Sequence, residues 1–208
     1  MPRASLRAAL GACFVLVVLA GCRTAPPRTL PGPGADAPWP EQLAELAKLD
    51  SYALNGRVAV AAKGDGFSAS LRYRQQRLRA ELALDGPLGI GGMRMQFSDA
   101  EISVTNSRGE KLDGVAARDE IEQRMGFELP LAELRWWLLG LPAPGAPVDM
   151  RADQVSGAPL DFQQNGWRVS VNSRVPGLGF SLPQRLSFER MGAERDGARL
   201  KLFVERWQ

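Results

Sequence analysis

The feature that most limits what this chain can become is an alternation of apolar and polar side chains that starts at Phe67 and resumes at Leu78. Phe67, Ala69, Leu71 and Tyr73 fall on one face, with Ser68, Ser70, Arg72 and Arg74 on the other. Leu78, Ala80, Leu82 and Leu84 repeat the pattern, with Arg77, Arg79 and Glu81 between them. Successive side chains of a strand point to opposite faces, so this spacing predicts half-buried antiparallel strands with one apolar surface. A strand over 52–62 precedes them, carrying Tyr52, Leu54, Val58 and Val60 on one side and turning at Lys63-Gly64-Asp65-Gly66. The uncharged loop Gly86-Pro87-Leu88-Gly89-Ile90-Gly91-Gly92 follows, then a strand with Met93, Met95 and Phe97. Ile102 and Val104 mark a strand over 101–105, and a short one is expected near 110–112. A curved sheet with an apolar inner face and an apolar loop tip points to lipid handling rather than catalysis.

What the chain lacks narrows the function further. It contains no histidine and two cysteines, Cys13 and Cys22. Serine–histidine–aspartate and cysteine–histidine catalysis, histidine acid–base chemistry and Cys/His zinc sites are therefore excluded. The glycine-rich loop lacks the Gly-Lys-Ser/Thr ending of a phosphate-binding loop and does not lead from a strand into a helix. Asp119, Glu120 and Glu122 fall on a helical stretch as a solvated face, and no carboxylate pair sits in an apolar setting, so glycosidase chemistry has little support.

The first residues have the pattern of an export signal. Arg3 and Arg7 precede an apolar run from Ala8 to Leu19 that is short for a bilayer span. The run ends in Leu19-Ala20-Gly21-Cys22, which resembles the bacterial lipobox. That resemblance implies cleavage before Cys22, a diacylglycerol on its sulfur and an acyl chain on its new amine. Two or more acyl chains give stable attachment to a membrane. Arg23 stands where aspartate retains lipoproteins of this kind at the inner membrane, so the outer membrane, facing the periplasm, is expected. Removing 1–21 leaves 187 residues with no free thiol and lowers the formal charge from +3 to +1, which gives little support for nucleic-acid binding.

Residues 22–40 hold Pro26, Pro27, Pro31, Pro33, Pro38 and Pro40 and read as an extended, lipid-anchored tether reaching up to ~50 Å at ~3.1 Å per residue. The rest, 41–208, has the length of a single domain. Leu43, Leu46, Ala47 and Leu49 predict an amphipathic helix over 41–50 with Pro40 at its first turn. Mid-chain the period changes. Asp113 is placed to cap a helix running to Met125 through Val115, Arg118 and Ile121, with Gly126 as its stop. Leu129-Pro130 opens a second helix with Leu131, Leu134, Trp137 and Leu138, ending at Gly140. Trp136 and Trp137 point about 100° apart on a helix and cannot both face one core, so Trp137 is assigned to the core and Trp136 is a candidate contact for cargo or a partner. The two helices carry more apolar surface than they can bury on each other and are expected to cover one opening of the sheet. Strands resume near 149–151, at 160–164 and at 167–172 around Asn165-Gly166, a two-residue hairpin signal. Segment 173–183, with Pro176, Gly177, Gly179 and Pro183, reads as a loop, and 184–190 and 198–206 form a last hairpin. The count is eleven strands, with the helices inserted after the sixth.

Several motifs occur in order along this frame: Tyr52-x-Leu54-x-Gly56-Arg57, Gly86-Pro87-Leu88-Gly89, Leu129-Pro130-x3-Leu134-x-x-Trp137-Leu138-x-Gly140-Leu141-Pro142, Gln164-Asn165-Gly166-Trp167 and Leu200-x-Leu202-x4-Trp207. Together they resemble the LolB family of outer-membrane lipoproteins. The resemblance implies a mainly β fold with helices: an incomplete, half-open antiparallel barrel of about eleven strands with a helical lid over an apolar cavity. It further implies acceptance of acylated lipoprotein cargo from the periplasmic carrier LolA and insertion of that cargo into outer-membrane lipids, by a monomer with no cofactor, metal or enzymatic activity. Leu88 matches a leucine that inserts into the membrane; on the residues alone, a leucine folded back onto the sheet serves equally well. The inward positions that would line the cavity are Leu54, Val58 and Val60 of the first strand, and Phe67, Leu71 and Tyr73 of the second. Leu82, Leu84, Met95, Phe97 and Ile102 continue that surface across the next three. Leu134, Trp137 and Leu138 come from the lid, and Phe162 and Val169 from the C-terminal strands. A lipid-sensing periplasmic lipoprotein and a structural outer-membrane lipoprotein are the alternatives.

Overall fold

A computed structural model of the chain describes residues 31–87, 92–192 and 197–208. Helix α1 (Trp39–Leu46) leads into β1 (Ser51–Ala62), β2 (Asp65–Gln76), β3 (Arg79–Asp85), β4 (Met93–Phe97), β5 (Ile102–Thr105) and β6 (Lys111–Asp113). Helices α2 (Gly114–Met125) and α3 (Leu131–Trp137) follow. The chain ends with β7 (Val148–Ala152), β8 (Pro159–Gln164), β9 (Trp167–Gly177), β10 (Phe180–Arg190) and β11 (Arg199–Trp207). All eleven strands form one antiparallel sheet in the order β6-β5-β4-β3-β2-β1-β11-β10-β9-β8-β7. The sheet does not close, because β6 and β7 are its two edges. It consists of two meanders joined where the last strand pairs with the first, from Leu54 opposite Trp207 to Ala61 opposite Arg199.

Alternation places the core on the inner face. Tyr52, Leu54, Val58 and Val60 are buried on β1, Leu71 and Tyr73 on β2, and Leu82 and Leu84 on β3. Met95, Phe97, Ile102, Phe162, Val169, Leu186 and Leu202 continue the same buried cluster. The turn from β1 to β2 is only Lys63-Gly64, both at positive φ, and Asn165-Gly166 forms a turn of the same kind. Such primed turns match the twist of the strands they join.

Four local expectations are corrected. Segment 173–183 is a hairpin, with β9 running on to Gly177 and β10 beginning at Phe180 around a Leu178-Gly179 turn. Its prolines sit where these strands have only one paired neighbour. Pro176 opposes Ser181 on β10 and lies beyond the β8 pairing, which stops at Ser170. Pro183 precedes Arg185, where pairing to β11 begins, and its carbonyl accepts from Trp207 Nε1 at 3.0 Å. A missing N–H costs nothing on a side that carries no ladder. Leu78 is not on the inner face of β3; with Arg77 at positive φ it forms the β2–β3 turn and is 69 % exposed. On α2 the buried stripe is Ala117, Ile121 and Met125, which leaves Val115 exposed, and Asp113 makes no side-chain capping bond. Gly126 does terminate α2, in the left-handed conformation that glycine adopts without strain. Finally, α1 starts at Trp39 and ends at Leu46, two residues earlier and four residues earlier than the 41–50 span.

Gly56 marks the tightest point of the seam between the two meanders. Its register with β11 shifts between Asn55 and Gly56, and a Cβ there would lie 2.3 Å from the backbone oxygen of Phe203. Backbone cannot yield as a flexible side chain does, so Gly56→Ala is expected to destabilise the fold by about 1–3 kcal/mol. Urea unfolding compared with wild type measures this, and an unchanged midpoint would show that the seam tolerates a wider spacing.

Candidate functional site

Helices α2 and α3 lie over the concave face and enclose a cavity of about 50 Å³. Its floor is Val58 and Val60 of β1, Leu71 and Tyr73 of β2, and Leu82 and Leu84 of β3. Leu200 and Leu202 of β11 complete that floor, with Phe188 of β10 and Trp167 of β9 beside them. The roof is Met125, Leu129, Pro130, Leu134 and Leu138. With a lining this apolar, the space offers a water no partners and suits a hydrocarbon. At about 50 Å³ it is small beside a full acyl chain.

Leu129 and Pro130 also border a larger groove of about 870 Å³ between α2, α3 and the turns that follow β2 and β4. This groove is mixed in character: Leu78, Phe97, Ile102 and Trp136 share it with Arg118, Asp119, Glu122, Glu128 and Arg135. The linker between α2 and α3 is thus the wall between an apolar interior and an open groove.

The roof is held by a small set of polar contacts. Tyr52 Oη donates to the backbone oxygen of Arg135 at 2.5 Å, tying β1 to α3. Trp137 Nε1 donates to Gln164 Oε1 at 2.9 Å, and the same oxygen accepts from the Ala143 amide at 2.8 Å. Gln164 Nε2 returns a bond to the Ala143 oxygen at 2.9 Å, so one buried glutamine on β8 fixes both α3 and the chain leaving it. Trp137 also stacks on Phe188, with ring centroids 6.4 Å apart. Tyr52 packs on Tyr73, whose hydroxyl donates to Gln75 Oε1, with centroids 5.7 Å apart. Burial raises the pKa of Tyr52 and of Tyr73 above the ordinary tyrosine value.

Of the positions named from sequence, Val58, Val60, Leu71, Tyr73, Leu82, Leu84, Leu134 and Leu138 line the cavity. Leu54, Met95, Trp137, Phe162 and Val169 are buried in the core around it, and Phe97 and Ile102 face the neighbouring groove. Phe67 does neither: it is 40 % exposed and borders a separate hollow that it shares with Lys63 and with Glu122 to Gly126 at the end of α2. Met125, Leu129, Pro130, Trp167, Phe188, Leu200 and Leu202 line the cavity as well, beyond the positions expected from the alternation. Leu200 and Leu202 were legible in the alternation of β11, and Trp167 lay beside the turn signal, but only the closing of β11 on β1 turns them toward the lid. Trp136 is half-buried in the groove with the Arg135 guanidinium 4.9 Å above its ring. Of the outward arginines, Arg72 pairs with Asp85 at 2.8 Å, and Arg74, Arg77 and Arg79 are exposed. Leu88 and Cys22 lie outside the described residues.

The fold is that of an unclosed antiparallel sheet curved around an apolar interior under a two-helix lid. Two solved structures share the fold at low identity. A DUF1329 family protein from Desulfovibrio piger aligns with a TM-score of 0.53 and 9% identity over 80% of this chain and 88% of its own. A putative outer membrane lipoprotein-sorting protein domain from Vibrio parahaemolyticus aligns at 0.52 and 8%, over 80% and 89%. The family model described as "Outer membrane lipoprotein LolB" matches residues 50–207. Proteins named outer-membrane lipoprotein LolB are 31% identical in Pseudomonas putida, over 93% of this chain and 92% of theirs, and 30% identical in Nitrosococcus oceani, over 93% of each. The chain belongs to the LolB family, and is an outer-membrane lipoprotein of the lipoprotein-localisation pathway rather than an enzyme.

The buried tyrosines make stability depend on pH in one direction. Their folded pKa values lie above the unfolded value of about 10, so their contribution is complete below that pH and is lost as pH rises past it. Wild type should therefore lose stability between pH 10 and 11.5 more steeply than Tyr52→Phe/Tyr73→Phe. Urea midpoints across that range check this, and parallel curves would contradict it.

Proposed function

We propose that the protein takes acylated lipoproteins from a LolA-like periplasmic carrier, shelters their acyl chains under its lid, and releases them into the outer membrane. The observation that carries this reading is the apolar cavity whose roof segment, Leu129-Pro130, is also the wall of an open groove. Membership of the LolB family supports it. The anchor would be Cys22, acylated and held at the periplasmic face.

Energetics set the terms for such a handover. Three chains of roughly fifteen carbons, at ~0.8 kcal/mol per buried CH₂, make exposure to water cost on the order of 30 kcal/mol. The cargo must therefore pass from one apolar shelter to the next. The receiving cavity must also hold the chains less tightly than a bilayer does, or delivery would stall. A sheet that never closes suits that requirement: the lid parts to admit a chain, and the open edges leave the enclosure incomplete.

The groove beside the linker is the route by which a chain would enter, and its polar rim can meet a carrier without sealing to it. Leu88, in the loop between β3 and β4, would act at the second step by pressing into the bilayer during release.

The experiment is a two-stage transfer: a soluble Cys22→Ala form receives acylated lipoprotein from the loaded carrier and is then mixed with liposomes. The reading requires both acceptance and release; binding without release would mark a sensor, and no acceptance a scaffold. Leu82→Phe, which fills the cavity while leaving the alternation intact, should slow acceptance several-fold at wild-type stability. Leu88→Glu should leave acceptance unchanged and abolish release. Normal delivery by that variant would remove Leu88 from the mechanism.

A further inference from the structure

The proline-rich stretch does not remain a free tether up to its last residue. The Gly32 amide donates to the Leu178 oxygen at 3.0 Å and the Gly34 amide to the Gly179 oxygen at 2.8 Å, which seats the segment on the β9–β10 turn. The contact is close: a Cβ on Gly32 would fall 2.3 Å from the Gly179 oxygen. Gln42, buried on α1, clamps it from below. Its Nε2 donates to the oxygens of Ala35 and Ala37 at 3.1 and 2.6 Å, and its Oε1 accepts from the Ser181 amide at 2.7 Å. Trp39 lies under the Arg174 guanidinium at 4.7 Å. Residues 31–42 therefore form a strap fixed to one end of the barrel.

Strand polarity says which end. The turn after β9, the start of β1, the β2–β3 turn and the β7–β8 turn lie together, and the loop that follows β3 opens at the opposite end. Beside the strap, where Gly157 approaches the Trp39 ring, is the turn 153–157 between β7 and β8. It is held rigidly: Asp153 Oδ1 accepts from the amides of Val155 and Ser156 at 3.1 and 2.7 Å and from Ser156 Oγ at 2.8 Å. This rigid turn presents Val155 98 % exposed. Val148, Met150 and Leu160, on the same hairpin, are also among the exposed large apolar side chains. β7 is a sheet edge with every residue exposed. Its Val148 and Met150 alternate with Asp149, bonded to Gln163, and Arg151, paired with Asp161. The edge thus carries its charges on β8 while its apolar side chains stay uncovered, and an exposed apolar patch of this kind calls for a partner.

The length of chain outside the strap argues for what covers it. Eight residues, 23–30, separate Cys22 from Pro31, and even fully extended they reach about 30 Å. A domain of this size is roughly 40 Å across. A leash shorter than the domain is wide, leaving from a fixed point, holds the exit end toward the bilayer. We propose that the β7–β8 hairpin, with Val155 at its tip, is a lipid-contact surface that rests on the membrane to which Cys22 is attached. This rests on the reading of Cys22 as the acylated anchor. It orients the barrel, and the loop after β3 reaches the same bilayer only when the domain lies on its side or the strap lets go.

Hydrogen exchange read by mass spectrometry tests the surface. The mature lipoprotein is reconstituted into phosphatidylethanolamine/phosphatidylglycerol vesicles and compared with Cys22→Ser protein mixed with the same vesicles. Attachment should slow exchange across 148–157 several-fold and leave the Lys63-Gly64 and Asn165-Gly166 turns unchanged. Gly32→Val, which forces the strap off the β9–β10 turn, should abolish that contrast, and Val155→Glu/Met150→Glu should reduce it. Equal exchange with and without attachment, or protection at the opposite end, overturns the proposal. The same spectra report the acyl mass on Cys22. Its absence would sink the anchor reading alone, and coupling Cys22 to a maleimide phospholipid then supplies an equivalent leash on which the surface still passes or fails.

Discussion

The pairing of β11 with β1 is the contact on which the rest depends. Each meander can form from local hairpins, but neither encloses anything by itself. Only when the end of the chain returns to its beginning, across nearly 150 residues, do Leu200 and Leu202 join Val58 and Val60 as one apolar floor. Gly56 permits the close approach, and the Arg57–Glu205 pair at 2.6 Å sits on the exposed side of the same seam, where an ion pair contributes little. The seam is held by backbone hydrogen bonds and by burial on the concave face.

What the seam creates is a concave surface that needs a cover, and the helices inserted between the meanders supply it. Their hold combines burial with a few polar ties. Ala117, Ile121, Met125, Leu134 and Trp137 are buried in the core. Tyr52 binds the Arg135 carbonyl, Gln164 serves Trp137 and Ala143, Asn165 binds Glu133 and Arg124 binds Ser107. The polar ties contribute about 1 kcal/mol each in water, so most of the lid's hold comes from its buried apolar side chains. A sheet with two open edges suits the proposed handover, since a deeper and drier enclosure would retain acyl chains against the bilayer.

Much of this was legible from residue order. Alternation revealed the strands, Asn165-Gly166 and Gly126 marked a turn and a helix stop, and eight of the inward side chains named from spacing do line the cavity. The misses have physical causes. Pro176 and Pro183 read as loop because proline removes a ladder donor, yet both stand where one side of the strand carries no ladder. Phe67 has the correct parity but faces an open hollow beside the end of α2, and periodicity reports the face of a strand, never how tightly the cover packs along it. The strap was hidden for a related reason: a proline-rich run looks the same whether it is free or bound at two glycine amides.

The sequence by itself determined the local and the chemical: strand periods, turn types, the absence of histidine, and an apolar face without a catalytic group. These depend on neighbours one to four residues away, or on composition, and survive without knowledge of the fold. Tertiary structure alone decided the closing register at Gly56, the seven lining residues supplied by distant strands and the lid, the wall that Leu129-Pro130 forms between cavity and groove, and the seating of residues 31–42 on the β9–β10 turn. Each of those joins segments far apart in the chain, whose meeting is set by packing and loop closure rather than by any pattern within one segment.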